Sequence, residues 1–173
     1  MNPYCQLAKD AIKNYLENGS EIKPPKNLPE NFYKDRPGVF VTIENDGKLR
    51  GCVGTYLPTK ENIAEEIISN AIAAASQDYR FAPITLSEID SLNFSVSLLS
   101  EPEPIDGFDK LEPKKYGLIV KCADSPHKCG LLLPDLEGID APEKQFLICC
   151  QKGGIDPGKE TVALYKFRVK KFH

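Results

Sequence analysis

The run Gly38–Glu44 is rich in β-branched and aromatic residues and ends at Asn45-Asp46-Gly47. Asp-Gly between two strand-like runs is a strong hairpin signal, because tight hairpin turns need residues that tolerate positive φ. The second strand is then Lys48-Leu49-Arg50-Gly51-Cys52-Val53-Gly54-Thr55, which carries two glycines, a cysteine and an arginine. Glycine inside a strand weakens it and marks a bulge or a close approach by a ligand or another backbone. Side chains alternate across a strand, which predicts Arg50 and Cys52 on one face and Leu49, Gly51 and Val53 on the other. A guanidinium, a thiol and two missing side chains would then lie within a few ångströms, as a site for an anion or an electrophile. The same pattern also fits a tight packing corner beside a helix, with Arg50 in a structural ion pair.

The rest of the chain reads as a framework around this hairpin. Asn2-Pro3 is a helix start, and Tyr4, Leu7, Ala8, Ala11, Ile12, Tyr15 and Leu16 recur at helical spacing up to Gly19. Residues 20–37 contain Pro24, Pro25, Pro29 and Pro37 and predict an irregular surface connector. After the hairpin, Thr59 is a candidate cap for a long helix with Ile63, Ile67, Ala71 and Ile72 as its buried stripe. That helix ends by Asp78-Tyr79-Arg80-Phe81, ahead of Pro83, and Thr85-Leu86-Ser87-Glu88 has the form of a capping box. Leu92–Leu98 alternates as a strand, and Glu101-Pro102-Glu103-Pro104 interrupts it. Tyr116–Cys122, Gly130–Leu133 and Val162–Phe172 predict three further strands, with burial on both faces at Leu131-Leu132-Leu133. A helix is predicted from Pro142 to about Lys152, stopped by Gly153-Gly154. Hairpin-linked strands mixed with unevenly placed helices predict an α+β fold with a largely antiparallel sheet.

Composition narrows the function classes. The chain has 173 residues, enough for one domain, or one domain with a small lobe, to fold without a metal or disulfide. Its net charge of −3 argues against a dedicated nucleic-acid binder. No signal peptide and no membrane-length apolar run is visible, so the expected location is cytoplasmic and the six cysteines are expected to be reduced thiols. Cys122, His127 and Cys129 form a Cys-x4-His-x-Cys cluster, but no fourth ligand accompanies it and no metal site is expected. No cofactor is implied.

Leu49-Arg50-Gly51-Cys52-Val53-Gly54-Thr55 closely resembles the signature of the AMMECR domain family. Further segments are similar in the family's order: Gly38–Thr42, Asn70–Ala75, Asp78–Thr85, Ser95–Ser100, Tyr116–Val120 and Gly130–Pro134. The resemblance spans nearly the whole chain as a single domain, 1–173. It implies an α+β domain whose antiparallel sheet is flanked by helices, with a smaller accessory lobe. It also implies kinship with protein A of the prokaryotic AmmeMemoRadiSam system, and so partnership with a Memo-like protein and a radical SAM enzyme. The sequence departs from the family pattern at Tyr79, where proline is usual, at Cys129, where arginine is usual, and after Pro134.

Three functions compete on these residues. A binding or accessory component would use the signature strand as a contact surface for a protein or a small anionic ligand, through Arg50, Gly51, Gly54, Thr55 and Arg80. An enzyme would bind an anion with Arg50 and use Cys52 as a catalytic thiol, although neither His127 nor His173 offers an evident base. RNA or DNA binding is disfavoured by the charge.

Overall fold

The computed structural model describes all 173 residues, Met1–His173. The chain divides into two compact units, Met1–Leu99 with Lys170–His173, and Ser100–Val169. The fold class is α+β, as the spacing predicts, but the strands form two four-stranded sheets, one in each unit.

In the first unit, α1 (Pro3–Asn18) begins at an Asn2 cap whose side chain accepts from the Tyr4 N–H, and it ends at Gly19 in the left-handed conformation. The connector that follows is irregular except for one helical turn, α2 (Asn31–Lys34). β1 (Gly38–Asn45) and β2 (Lys48–Thr55) form the expected hairpin. Its turn residues Asp46 and Gly47 both have positive φ, 48° and 74°, the combination that suits the right-handed twist of the flanking strands. α3 (Ile63–Ser76) packs on both hairpin strands and on α1. β3 (Leu92–Leu99) follows a short 3-10 turn, Ile89–Ser91, and β8 (Val169–Phe172) completes the sheet in the order β2-β1-β3-β8.

Val39, Val41 and Ile43 of β1 meet Ile63, Ile67, Ala71 and Ile72 of α3 and Leu7, Ala8, Ala11 and Ile12 of α1 in one core. Burial of this apolar face, at about 25 cal/mol per Å², drives the sandwich of helices on sheet. The helix begins later than Thr59: its cap is Asn62, which accepts from the Glu65 N–H at 3.0 Å. Thr59 instead bonds to Glu66.

In the second unit the sheet order is β4-β7-β5-β6, formed by β4 (Glu103–Ile105), β5 (Gly117–Cys122), β6 (Cys129–Leu132) and β7 (Val162–Phe167). α4 (Pro142–Gly153) packs on β5 and β6. The strand buried on both faces is β5, with Leu118, Ile119 and Val120 at 0% exposure; of Leu131, Leu132 and Leu133 only Leu132 is buried, and β6 ends there. The run Val162–Phe172 is two strands, because the backbone of Arg168 is held by Ser100 on both sides: its N–H donates to Ser100 Oγ at 2.9 Å and its carbonyl accepts from Ser100 N–H at 2.9 Å. β7 and β8 therefore belong to different sheets.

At Gly51 the backbone of α3 lies close against the hairpin. A Cβ there would run into the Ala74 carbonyl oxygen, which belongs to helix backbone and cannot step aside. Gly51→Ala is expected to destabilise the protein by about 1–3 kcal/mol. Urea unfolding should show a lower midpoint with an unchanged slope, whereas the exposed Gly138→Ala control acts through its positive φ alone.

Candidate functional site

β2 is an edge strand, and its regular alternation is broken at Arg50. Ile43 pairs with Gly51 while Glu44 pairs with Leu49, so Arg50 is the extra residue of a β-bulge. The sequence expectation that Arg50 and Cys52 point side by side fails for this reason, since an inserted residue re-aims the side chains around it. The Arg50 guanidinium makes four hydrogen bonds. Nε and Nη2 reach the two carboxylate oxygens of Glu88 at 3.1 and 3.3 Å, Nη1 donates to the Ala82 carbonyl at 2.6 Å, and Nη2 donates to the Pro83 carbonyl at 3.3 Å. Four of the five donors of an arginine are thereby engaged within the protein.

Glu88 is the acidic member of the predicted capping box. It accepts from the Thr85 N–H at 2.8 Å and the Thr85 hydroxyl at 2.9 Å while pairing with Arg50. The bond from the Thr85 backbone, followed by that from Arg50, lowers the pKa of its carboxyl. One glutamate thus closes the turn after α3 and fastens it to the bulge.

Cys52 is the next residue of the site. Its thiol lies 3.3 Å from the Thr42 hydroxyl, directly across the hairpin. Its backbone is bound by Asp78 and Arg80. The Cys52 N–H donates to Asp78 Oδ2 at 2.9 Å, and the Cys52 carbonyl accepts from Arg80 Nη2 at 3.4 Å. Asp78 and Arg80 are joined by two parallel bonds, Nε to Oδ1 at 2.8 Å and Nη2 to Oδ2 at 2.6 Å. Arg80 holds the Asp78 carboxyl far below the usual carboxylate range, with further help from the Cys52 and Arg80 backbone N–H groups against the opposing effect of burial. The Asp78 side chain is 4% exposed and that of Arg80 is 45% exposed, with the guanidinium over the Phe81 ring. The hydrogen bonds of Arg80 run from the backbone N–H, Nε and Nη2, which leaves Nη1 as the end directed to none of these partners.

Thr55, at the end of β2, opens a third cluster. Its hydroxyl donates to Glu66 Oε1 at 2.6 Å and accepts from Asn70 Nδ2 at 3.3 Å. Glu66 is 1% exposed and has no cationic partner. The Thr59 hydroxyl and the N–H groups of Thr59 and Lys60 also donate to it, at 2.9, 2.8 and 2.7 Å. Burial by itself would raise its pKa, but these bonds outweigh it and the net shift is downward. Asn70 also donates to the Val39 carbonyl at 3.0 Å. The loop after the signature strand is therefore tied to α3 through a buried carboxylate. Gly54, between Cys52 and Thr55, lies under the Phe40 ring, where a Cβ would collide with it.

Among the residues singled out in the sequence, the structure brings Cys52 and Arg80 together. It sends Arg50 to Glu88 and Thr55 to Glu66, and leaves the two glycines as close-approach positions. Asp78, Glu66, Asn70 and Thr42 were not recognised as members. Glu66 and Asn70 carried a readable signal, since both fall in the buried stripe of α3 with Ile63 and Ile67, where an unpaired polar side chain is costly. Asp78 carried none beyond its place in the family-like segment. Elsewhere, Cys122 lies 3.6 Å from a Glu160 oxygen that pairs with Lys128 at 2.6 Å. No group of three or more His, Cys, Asp or Glu side chains is arranged to hold a metal ion. All six cysteines are free thiols, and burial pushes Cys149 up to about 12.

The sequence model of the AMMECR1 family matches residues 5–172. The chain belongs to the AMMECR1 family. A protein of Thermotoga maritima is 46% identical to it over 172 residues, covering 99% of this chain and 97% of that protein. Protein CA_C1420 of Clostridium acetobutylicum is 42% identical over 97% of this chain, which spans 35% of that protein's length. The crystal structure of uncharacterized protein PH0010 from Pyrococcus horikoshii has the same fold, with a TM-score of 0.87 and 35% identity over 97% of this chain and 88% of that one. In this member of the AMMECR1 family, three polar clusters converge on the signature strand at the sheet edge. No helix of the chain is long and apolar enough to cross a membrane.

The ionised Asp78 makes stability depend on pH with a definite sign. Its folded pKa lies below its unfolded value, so its contribution is complete above about pH 5 and declines as pH falls below about 4, toward the folded pKa. Asp78→Asn is accordingly expected to destabilise the protein most at neutral pH, with the gap to wild type narrowing at pH 3 in urea titrations. Arg50→Ala leaves Glu88 without its cation and two carbonyls without donors, and is expected to lower stability by about 1–3 kcal/mol.

Proposed function

We propose that this AMMECR1-family chain is a cytoplasmic binding or accessory component that acts with a Memo-like protein and a radical SAM enzyme. In this reading it meets its partner with the surface that carries Tyr79 and Arg80. The observation behind it is the pairing of an aromatic side chain at 96% exposure with a guanidinium that keeps an unengaged end. Tyrosine and arginine are the side chains that most often carry binding energy at protein interfaces, because each offers apolar area and hydrogen bonds together. Leu49 and Leu86, at 41% and 44% exposure, add further exposed apolar side chains on the segments that Arg50 and Glu88 join. A carboxylate on the partner, or a small anionic ligand, suits Arg80 Nη1 better than it suits Arg50, four of whose five donors are engaged.

The catalytic alternative keeps Cys52 as a thiol beside the Thr42 hydroxyl. No histidine or carboxylate is bonded to its sulfur, so the general base that a thiol nucleophile needs is not supplied by its neighbours. Binding is the reading this arrangement favours. The partners come from the resemblance to the AmmeMemoRadiSam system, and the test is direct. With purified Memo-like and radical SAM proteins as probes, Tyr79→Ala is expected to weaken binding by about tenfold or more without lowering thermal stability. Arg50→Ala is expected to lower stability and to leave the folded fraction's affinity unchanged. Wild-type affinity in Tyr79→Ala would overturn the assignment of this surface.

A further inference from the structure

β2 lies at one edge of its sheet, with β1 on its inner side and no strand on its outer side. The backbone of Cys52 faces outward, as its bonds to Asp78 and Arg80 show. A neighbouring antiparallel strand would accept from the Cys52 N–H and donate to the Cys52 carbonyl. Asp78 Oδ2 does the first and Arg80 Nη2 does the second. Joined by their own two bonds, the carboxylate and the guanidinium present together the acceptor and the donor of a peptide group. They occupy the place of an incoming strand.

The rest of this edge is protected in other ways. Lys48 is exposed at its start, and the bulge at Arg50 breaks the register next to Cys52. Charged residues and bulges are the devices by which sheet edges avoid pairing with another chain. The far edge of the same sheet is β8, a four-residue strand with exposed Lys170 and Lys171. Between Arg50 and Thr55 the signature strand has neither a lysine nor a bulge, and there the side-chain pair stands.

We infer that the Asp78–Arg80 pair is an edge guard, which keeps β2 from pairing antiparallel with β2 of a second copy of this chain. The second copy is the occupant that fits, since an antiparallel edge is self-complementary and every copy presents the same one. The guard persists in mild acid, because Asp78 stays ionised well below the ordinary carboxylate range. The guard uses Nε and Nη2 of Arg80, whereas the partner surface proposed above uses Tyr79 and Nη1, and neither proposal rests on the other.

Three variants test it: Asp78→Ala, Arg80→Ala, and Asp78→Ala combined with Cys52→Pro. Amide exchange at Cys52 is read by NMR, and association by sedimentation velocity over a range of concentrations. In folded Asp78→Ala, the Cys52 amide should exchange about 10- to 100-fold faster than in wild type. The protein should also form larger, concentration-dependent species that wild type does not form. Cys52→Pro deletes the freed donor at an edge position that tolerates proline, and should return the sedimentation to that of wild type. Wild-type sedimentation in folded Asp78→Ala would overturn the inference, as would association that survives Cys52→Pro. If Asp78→Ala does not fold, Arg80→Ala decides, because it frees the Cys52 carbonyl and leaves the N–H on Asp78. Concentration-dependent growth then supports the guard, and wild-type sedimentation overturns it.

Discussion

An edge strand has to find partners for the backbone groups that face away from its sheet, and in this protein that constraint organises the region around the signature strand. At Cys52 the partners are side chains that arrive from beyond the end of α3. At Arg50 the regular pairing is given up in a bulge, and the side chain ties the strand to the turn at Glu88. At Thr55 the hydroxyl enters the Glu66 cluster, which holds the following loop. The strand is held by its antiparallel pairing with β1, by these three attachments and by the close approach of α3 at Gly51. Its own residues have little intrinsic preference for extended structure, since two are glycines.

Two carboxylates bear much of this arrangement, and they are satisfied differently. Asp78 is buried but fully paired with a guanidinium, so its charge is neutralised locally. Glu66 is buried with no cation and relies on two hydroxyl and two backbone donors. A buried charge without a counter-ion is tolerated only when hydrogen bonds replace its hydration shell, which is the case here. Both groups act locally on conformation, fixing the loop at residues 55–60 and the segment at 78–81. The exposed end of Arg80 and the side chain of Tyr79 are left as the chemically available features of the same segment.

Much of the fold was legible in local pattern. The Asp46-Gly47 turn, the phases of α1 and α3 and the strand Leu92–Leu99 follow from residues within a few positions of each other. The misreadings have physical causes. Thr59 looks like a helix cap, but Glu66 takes its hydroxyl and Asn62 caps instead. Glu103-Pro104-Ile105 looks like an interruption, yet it forms β4 at a sheet edge, where a missing N–H is harmless. Val162–Phe172 alternates as one strand, and only its pairing partners divide it at Arg168. The site was less legible. Gly51 and Gly54 announced close approach without saying what approaches, and the bulge overrode the alternation that placed Arg50 beside Cys52.

Local chemistry in the sequence determined the hairpin, the buried faces of the helices and the position where glycine is obligatory, because these depend on turn dihedrals and on periodicity. It also carried the resemblance that identified the family. Only the tertiary structure decided which polar groups meet. Asp78 is 26 residues from Cys52 and Glu88 is 38 residues from Arg50. Periodicity carries no information over such separations. The pairings were settled by where α3 ends relative to the edge of the sheet, and by the need of the backbone there for a donor and an acceptor.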